Sequence, residues 1–117
     1  MGTIKTFRDL IAWQKGMELA RGVYRDTTAM PADERFGLTM QMRRAAVSIP
    51  SNIADGYARQ SKPDYVRFLR TARGSLAELR TQMELAESLT LLTPSAQTRN
   101  LLDKADRVLQ GLIRSLK

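Results

Sequence analysis

Residues 43–59 read RRAAVSIPSNIADGYAR, and this stretch decides the fold. A proline inside a helix removes a backbone N–H and crowds the preceding turn, at a cost of about 3 kcal/mol or more. Pro50 can therefore end a helix near Ser48 or bend a helix that continues. The apolar residues on both sides of the proline keep one helical phase, which favours the second alternative. These residues are Leu38, Met42, Ala45, Ile49, Ile53 and Tyr57. We predict a single proline-kinked helix.

A second amphipathic segment precedes this one. It follows a capping box that begins at Thr6, and Ala29-Met30-Pro31 ends it. Its apolar residues recur three and four positions apart, as one face of a helix requires. They are Leu10, Trp13, Met17, Ala20 and Tyr24. We expect this stripe to face the core, and we expect the tryptophan and the three tyrosines (Trp13, Tyr24, Tyr57 and Tyr65) to pack in the core.

Two more helices are predicted after the opening stretch. Helix three starts at Ser61-Lys62-Pro63-Asp64, which offers an N-cap serine, a first-turn proline and an early acidic residue. Helix four starts at Thr93-Pro94. Strand-like alternation is absent, and the connections are short, so neighbouring helices should pack antiparallel. The sequence predicts one all-α domain over residues 1–117, an up-down-up-down antiparallel four-helix bundle with a kinked second helix.

The composition argues against catalysis. The chain contains no cysteine and no histidine, so it lacks thiolate chemistry, the commonest general base and the commonest metal ligand. We therefore expect a non-enzyme without cofactor or metal.

The first residues lack the apolar core of a signal peptide, and no segment has the roughly 18 apolar residues that a membrane span needs. These features predict a cytoplasmic protein without membrane contact.

Positive charge is concentrated in the middle of the chain. The net charge is +7, and residues 36–80 supply +5 of it, with eight basic against three acidic side chains. Such a balance suits a polyanionic partner. Seven side chains are candidates for contacts to RNA or DNA phosphates: Arg43, Arg44, Arg59, Lys62, Arg67, Arg70 and Arg73. The alternative, which stays open, is a solvated charged surface with ion pairs between subunits.

A second apolar face on helix two indicates self-association. Phe36, Met40, Val47 and Ala54 lie opposite its core stripe, and one minimal bundle cannot bury both sides. Helix three adds Gly74 and Leu85 on its outer side; an exposed glycine in a helix costs roughly 1 kcal/mol and is tolerated best where another backbone approaches. We predict that these six residues form a subunit interface. The alternative is ordinary surface variation.

Three stretches together resemble a known family. LIAWQKGMELA (Leu10–Ala20), RRAAVSIPSNIADGYAR and ARGSLAELRTQ (Ala72–Gln82) are similar to the four-helix-bundle proteins of the 23S rRNA-intervening-sequence family. The resemblance implies a small bacterial protein that forms a homopentamer, with no catalytic residues to carry over. It also implies a distant relationship to the accessory protein of diversity-generating retroelements, which partners a reverse transcriptase and nucleic acid. Asp55 and Arg80 stand where the family usually has glutamate, and Arg80 adds positive charge at its position.

Two hypotheses about function follow. In the first, an oligomer binds RNA or DNA with little sequence preference, or binds an enzyme that acts on nucleic acid. In the second, the protein is a structural scaffold for protein partners only.

Overall fold

The computed structural model describes residues 3–117 and contains four long helices. These are α1 (Ile11–Thr27), α2 (Leu38–Tyr57), α3 (Lys62–Ser88) and α4 (Ala96–Ser115), and short 3₁₀ helices occupy Phe7–Asp9 and Ala32–Glu34. No strand occurs within residues 3–117. Both α1 and α3 pack against α2 and α4. The prediction of an all-α four-helix bundle is confirmed.

Each pair of neighbouring helices is antiparallel, since residues late in one helix contact residues early in the other. The contacts are Gly16 with Pro50 and Tyr24 with Arg43 between α1 and α2, Ser48 with Ser75 and Gly56 with Phe68 between α2 and α3, Arg73 with Asp106 and Arg80 with Asp103 between α3 and α4, and Gly22 with Thr98 and Asp26 with Ser95 between α1 and α4. The chain therefore runs up, down, up and down.

The second helix continues through Pro50, as predicted. Residues 48–52 are helical, and Pro50 is buried inside α2. Beside the proline, the Asn52 amide donates to the carbonyl and the hydroxyl of Ser48, at 2.8 and 2.9 Å. The Ser48 hydroxyl in turn lies 2.8 Å from the Ser75 hydroxyl of α3. This small polar network ties the proline-containing turn to the neighbouring helix. The bend at Pro50 stays a prediction.

The helices α3 and α4 start with serine caps. The Ser61 hydroxyl accepts from the Asp64 N–H, as predicted, and the Ser95 hydroxyl accepts from the Thr98 N–H. The predicted start of α4 at Thr93-Pro94 is therefore two residues early, because the cap is Ser95. The predicted core stripe of α2 is buried from Leu38 to Ile53, whereas Tyr57 at its end is partly buried. In α3, the core side includes Leu69, Leu76 and Leu79.

The orientation of α1 differs from the prediction. The capping box forms, but it caps the 3₁₀ helix that precedes α1. The core side of α1 combines the large residue Leu19 and Val23 with the small residues Ala12 and Gly16. Tyr24 is 44 % exposed, so its assignment to the core is wrong. Of the predicted stripe, Leu10 and Ala20 are buried, as expected. The larger side chains of Trp13, Met17 and Tyr24 instead line a cavity beside α2. Gly16 lets α1 approach α2 closely at Pro50.

Candidate nucleic-acid interface

The helix contacts define a level halfway along the bundle. Gly16 lies beside Pro50, and the Arg73 guanidinium lies 3.4 Å from the Asp106 carboxylate. The Ser48–Ser75 contact places Pro50 and Arg73 at the same height, because the two helices are antiparallel. Residues 3–16, 50–73 and 106–117 therefore lie on one side of this level. Residues 17–49 and 74–105 lie on the other.

The charge of the protein is divided unevenly between these two halves. The first half carries eleven Lys and Arg against four Asp and Glu, a net charge of +7. The second half carries eight of each, a net charge of zero. We call the first half the basic end and the second half the balanced end. All of the net charge of +7 thus lies at one end of the bundle.

Three of the seven predicted nucleic-acid-binding residues surround one open cavity at the basic end. Lys62, Arg67 and Arg70 line a cavity of about 710 Å³ between the start of α3 and Leu116 at the end of α4. All three cations are exposed. The described residues that line this cavity include no Asp or Glu. The ionisable side chains that line this cavity are therefore all cationic, as an anion-binding site requires.

Three predicted residues are held in surface ion pairs. Arg59 pairs with Asp55 at 3.0 Å, and Arg67 with Asp64 at 3.3 Å. Both guanidinium groups also lie over the Phe68 ring, at 4.3 and 4.7 Å from its centroid. Such exposed pairs contribute about 0–1 kcal/mol, so a phosphate can compete with the carboxylates.

Arg73 forms the third of these ion pairs, with Asp106 of α4. Its side chain is 48 % exposed, against 28 % for the partner carboxylate. This pair joins α3 to α4, and a phosphate contact by Arg73 would have to share the guanidinium with a structural role.

The remaining two predicted residues lie at the balanced end. Arg43 donates through Nε to the Thr27 hydroxyl at 2.9 Å, and its guanidinium lies 4.6 Å from the centroid of the Tyr24 ring. Arg44 is exposed. At a rise of 1.5 Å per residue, Arg43 lies about 21 Å from Tyr57 at the end of α2, and Arg59 follows two residues later. The seven predicted residues therefore form two groups, five at the basic end and two at the balanced end.

Sequence reasoning missed six cations of the basic end. Before and within the first turns of α1 these are Lys5, Arg8 and Lys15, and in the second half of α4 they are Arg107, Arg114 and Lys117. They lie outside residues 36–80, the segment with the largest excess of Lys and Arg over Asp and Glu in the sequence. The up-down topology was the signal that could have found them, because it places the start of α1, the start of α3 and the end of α4 at one end.

The predicted interface residues of α2 lie along a groove between α1 and α2. Two cavities of about 700 and 520 Å³ share Tyr24 and Val47 and make this α1–α2 groove continuous. Apolar side chains from both helices line it: Trp13, Met17, Tyr24, Phe36, Met40, Val47, Pro50 and Ala54. Five arginines also line it: Arg21, Arg25, Arg35, Arg43 and Arg44. Among the residues that the structure describes, no carboxylate lines either cavity.

The other two predicted interface residues lie on the outer face of α3. Leu85 is 48 % exposed. A Cβ built on Gly74 would meet no described atom within 4 Å. The six predicted interface residues thus belong to two separate surfaces, a groove and a convex helix face.

Shifted pKa values have local causes. Hydrogen bonds from the Lys5 and Thr6 backbone amides lower the pKa of Asp9, the Lys15 ammonium lowers that of Glu18, and burial raises that of Tyr65.

Within residues 3–117 no three metal-ligating side chains come together. None of the described helices combines the length and the apolar character that crossing a bilayer requires.

Comparison with known proteins gives the family context. Residues 8–114 match the family model described as 23S rRNA-intervening sequence protein. The fold is similar to that of a protein of unknown function from the S23 ribosomal protein family of Bacteroides thetaiotaomicron, at 21 % identity and a TM-score of 0.64. That similarity covers 91 % of this chain and 94 % of the other. No curated protein sequence matches this chain.

Proposed function

The chain belongs to the family of 23S rRNA-intervening sequence proteins, and from this premise we propose that it is a non-catalytic protein that binds RNA or DNA through its basic end. The observation that carries the proposal is the confinement of the net charge of +7 to one half of the bundle. Lys and Arg bind phosphates and release condensed counterions, which is the main source of affinity for nucleic acids without sequence preference.

Seven cations of the basic end are free to make such contacts. Among residues 3–117 they form no ion pair: Lys5, Arg8, Lys62, Arg70, Arg107, Arg114 and Lys117. No carboxylate among residues 3–117 forms an ion pair with them, so a phosphate need not displace one. A cytoplasmic location is part of the same proposal, because RNA and DNA are accessible there.

Little sequence preference is expected because the site is shallow. The cavity around Lys62, Arg67 and Arg70 is open to solvent, and its basic side chains are long and exposed. Such side chains contact the phosphate backbone, which is the same for every sequence, and base edges are read mainly by elements that enter a groove.

The proposal includes a closed homo-oligomer, with five copies as the family resemblance implies. Its support is the exposed apolar surface of the α1–α2 groove, where Phe36 is 77 % exposed and Val47 43 %. Several basic ends in one assembly would contact one nucleic acid together, and linked contacts raise the overall affinity well above that of a single end.

A fluorescence anisotropy titration tests the proposal. Labelled single-stranded RNA and DNA of mixed sequence are titrated with the protein at several salt concentrations. We expect binding at low salt, with similar affinity for unrelated sequences and a steep loss as salt rises. If neither nucleic acid binds at low salt, the proposal is wrong. The alternative, a scaffold for protein partners through the α1–α2 groove, would then take its place.

A further inference from the structure

We propose that the outer face of α3 of one copy seats in the α1–α2 groove of the next copy, so that the protein assembles head to tail. This inference rests on the proposed self-association and identifies the two surfaces that make it. An apolar helix face that enters an apolar groove is a common mode of recognition.

The groove presents apolar surface that the rest of the chain leaves uncovered. Phe36, Tyr24 and Val47 are 77, 44 and 43 % exposed. Exposed apolar residues are ordinary when scattered, but these three line one continuous groove. Contiguous surface of this kind marks a site of interaction.

The outer face of α3 has the complementary shape. Gly74, Ala77, Thr81 and Leu85 are exposed and lie three or four residues apart, so they share one face of the helix. We call these four residues the α3 ridge. The Thr81 hydroxyl donates to the Ala77 carbonyl at 2.8 Å, so it needs no partner outside the helix. The missing side chain at Gly74 lets another helix approach the backbone.

The charges at the edges of the two surfaces are also complementary. Arginines line the groove, and within the described chain no carboxylate does. The α3 ridge is flanked by Glu78 and Glu84, which are exposed and form no ion pair within residues 3–117. Opposite charges that meet at the rim of an interface favour this pairing over contacts between like surfaces. A second copy of this chain therefore fits the groove in both apolar surface and charge.

Both surfaces lie at the same height on the bundle and on opposite sides of it. The Ser48–Ser75 contact sets the α3 ridge beside residues 38–49 of α2, and the groove follows α2 from Phe36 to Ala54. The α3 ridge lies on the side of α3 opposite its buried residues Leu76 and Leu79, so it points out of the bundle. A rotation about an axis parallel to the bundle can therefore repeat the contact, which is heterologous and closes into a ring. All basic ends then lie on one face of that ring.

Two interface variants and their mixture test the pairing by light scattering behind a sizing column. Val47→Glu buries a carboxylate in the groove and leaves the α3 ridge intact, whereas Leu85→Glu does the reverse. Each variant alone should have the mass of a monomer, because every contact needs one groove and one ridge. An equimolar mixture should form a heterodimer and nothing larger, since it combines one intact groove with one intact ridge.

Controls separate the possible failures. Ile11→Glu alters a side chain that is 54 % exposed at the start of α1 and outside the groove, so this variant should keep the wild-type mass. Circular dichroism should show that all three variants remain helical. A monomeric wild type would overturn both the self-association and this pairing. A wild-type assembly that Leu85→Glu leaves intact, or a mixture that stays monomeric, would overturn the pairing alone.

Discussion

Gly56 of α2 lies so close to Phe68 of α3 that a Cβ on the glycine would be 2.8 Å from the Cβ of the phenylalanine. The same Cβ would be 3.2 Å from the Tyr65 carbonyl oxygen. The two helices therefore pack closely at Gly56, just before the turn that joins them, and a larger residue there would force them apart.

We predict that Gly56→Ala destabilises the bundle by about 1–3 kcal/mol, the usual cost of an overpacked contact. Two of the three neighbouring atoms are the Phe68 Cβ and the Tyr65 carbonyl oxygen, which cannot rotate away; the third is in the Tyr65 ring. Urea unfolding followed by circular dichroism measures the change. Gly111→Ala is the matched control, because the nearest described atom would be the tip of Arg114 at 4.0 Å. That variant should gain up to about 1 kcal/mol in helix propensity, and equal effects of the two substitutions would contradict the account.

A substitution at Gly74 separates folding from assembly. Within one copy an alanine here meets nothing, so the unfolding free energy of the monomer should rise by up to about 1 kcal/mol. If Gly74 contacts a neighbouring copy, the same methyl group should weaken the assembly. Unfolding at low protein concentration measures the stability of the monomer, and sedimentation at high concentration measures the strength of the assembly. If Gly74→Ala strengthens the assembly, Gly74 does not lie in the interface between copies.

Replacement of Pro50 by alanine should stabilise α2. The alanine supplies the N–H that the Ala46 carbonyl lacks and relieves a helix-interior cost of about 3 kcal/mol. It also removes two buried methylene groups, worth about 0.8 kcal/mol each. The net expectation is a gain of about 1 kcal/mol in the free energy of unfolding, measured with denaturant. A loss of stability would mean that the packing of the Pro50 side chain contributes more than the missing backbone hydrogen bond costs.

Acid should loosen the 3₁₀ helix that precedes α1. The Asp9 carboxylate accepts from the Lys5 and Thr6 amides at 2.9 and 3.1 Å, and these bonds hold its pKa below the ordinary value of 3.8. The folded pKa is depressed, so this stabilisation is complete above pH 3.8 and is lost as the pH falls through the folded pKa. The fluorescence of Trp13, the single tryptophan, reports the change.

Trp13 is a suitable reporter because the Phe7 ring of that 3₁₀ helix packs edge-on against it at 5.3 Å. We expect a shift of its emission below pH 3.8 in the wild type. In Asp9→Asn the step should disappear, because no carboxylate titrates at the cap. A step of the same size in both proteins would assign it to other carboxyl groups.

The sequence predicts α2 and α3 closely because large apolar residues mark their core sides. The stripe from Leu38 to Ile53 keeps its phase through Pro50, and Ser61 marks the start of α3. It misplaces the core side of α1. Leu19 and Val23 are buried there together with the small residues Ala12 and Gly16. The small residues weaken the hydrophobic signal of that side, so the larger side chains of Trp13, Met17 and Tyr24 dominate the periodicity. Tyr24, which the periodicity assigns to the core, is therefore exposed.

The candidate sites show the same division between local and non-local information. Phe36, Met40, Val47 and Ala54 were recognised as one face from their spacing alone. The groove they form also needs α1, and the sequence did not show that Trp13 and Met17 join it. The basic end likewise depends on which helix ends lie together. Cations more than fifty residues apart in the sequence, such as Lys62 and Lys117, lie at the same end only in the folded bundle.

The central claim is that the basic end binds nucleic acid, and one comparison of salt dependence tests it most directly. Lys62→Gln, Arg67→Gln and Arg70→Gln together remove three charges from the basic end. Arg80→Gln, Arg99→Gln and Lys104→Gln together remove three from the balanced end, as the matched control. With labelled single-stranded RNA, the slope of log affinity against log salt should become less steep by about 2 in the first variant. In the control it should stay close to the wild-type slope. Equal slopes in the two variants would contradict the claim.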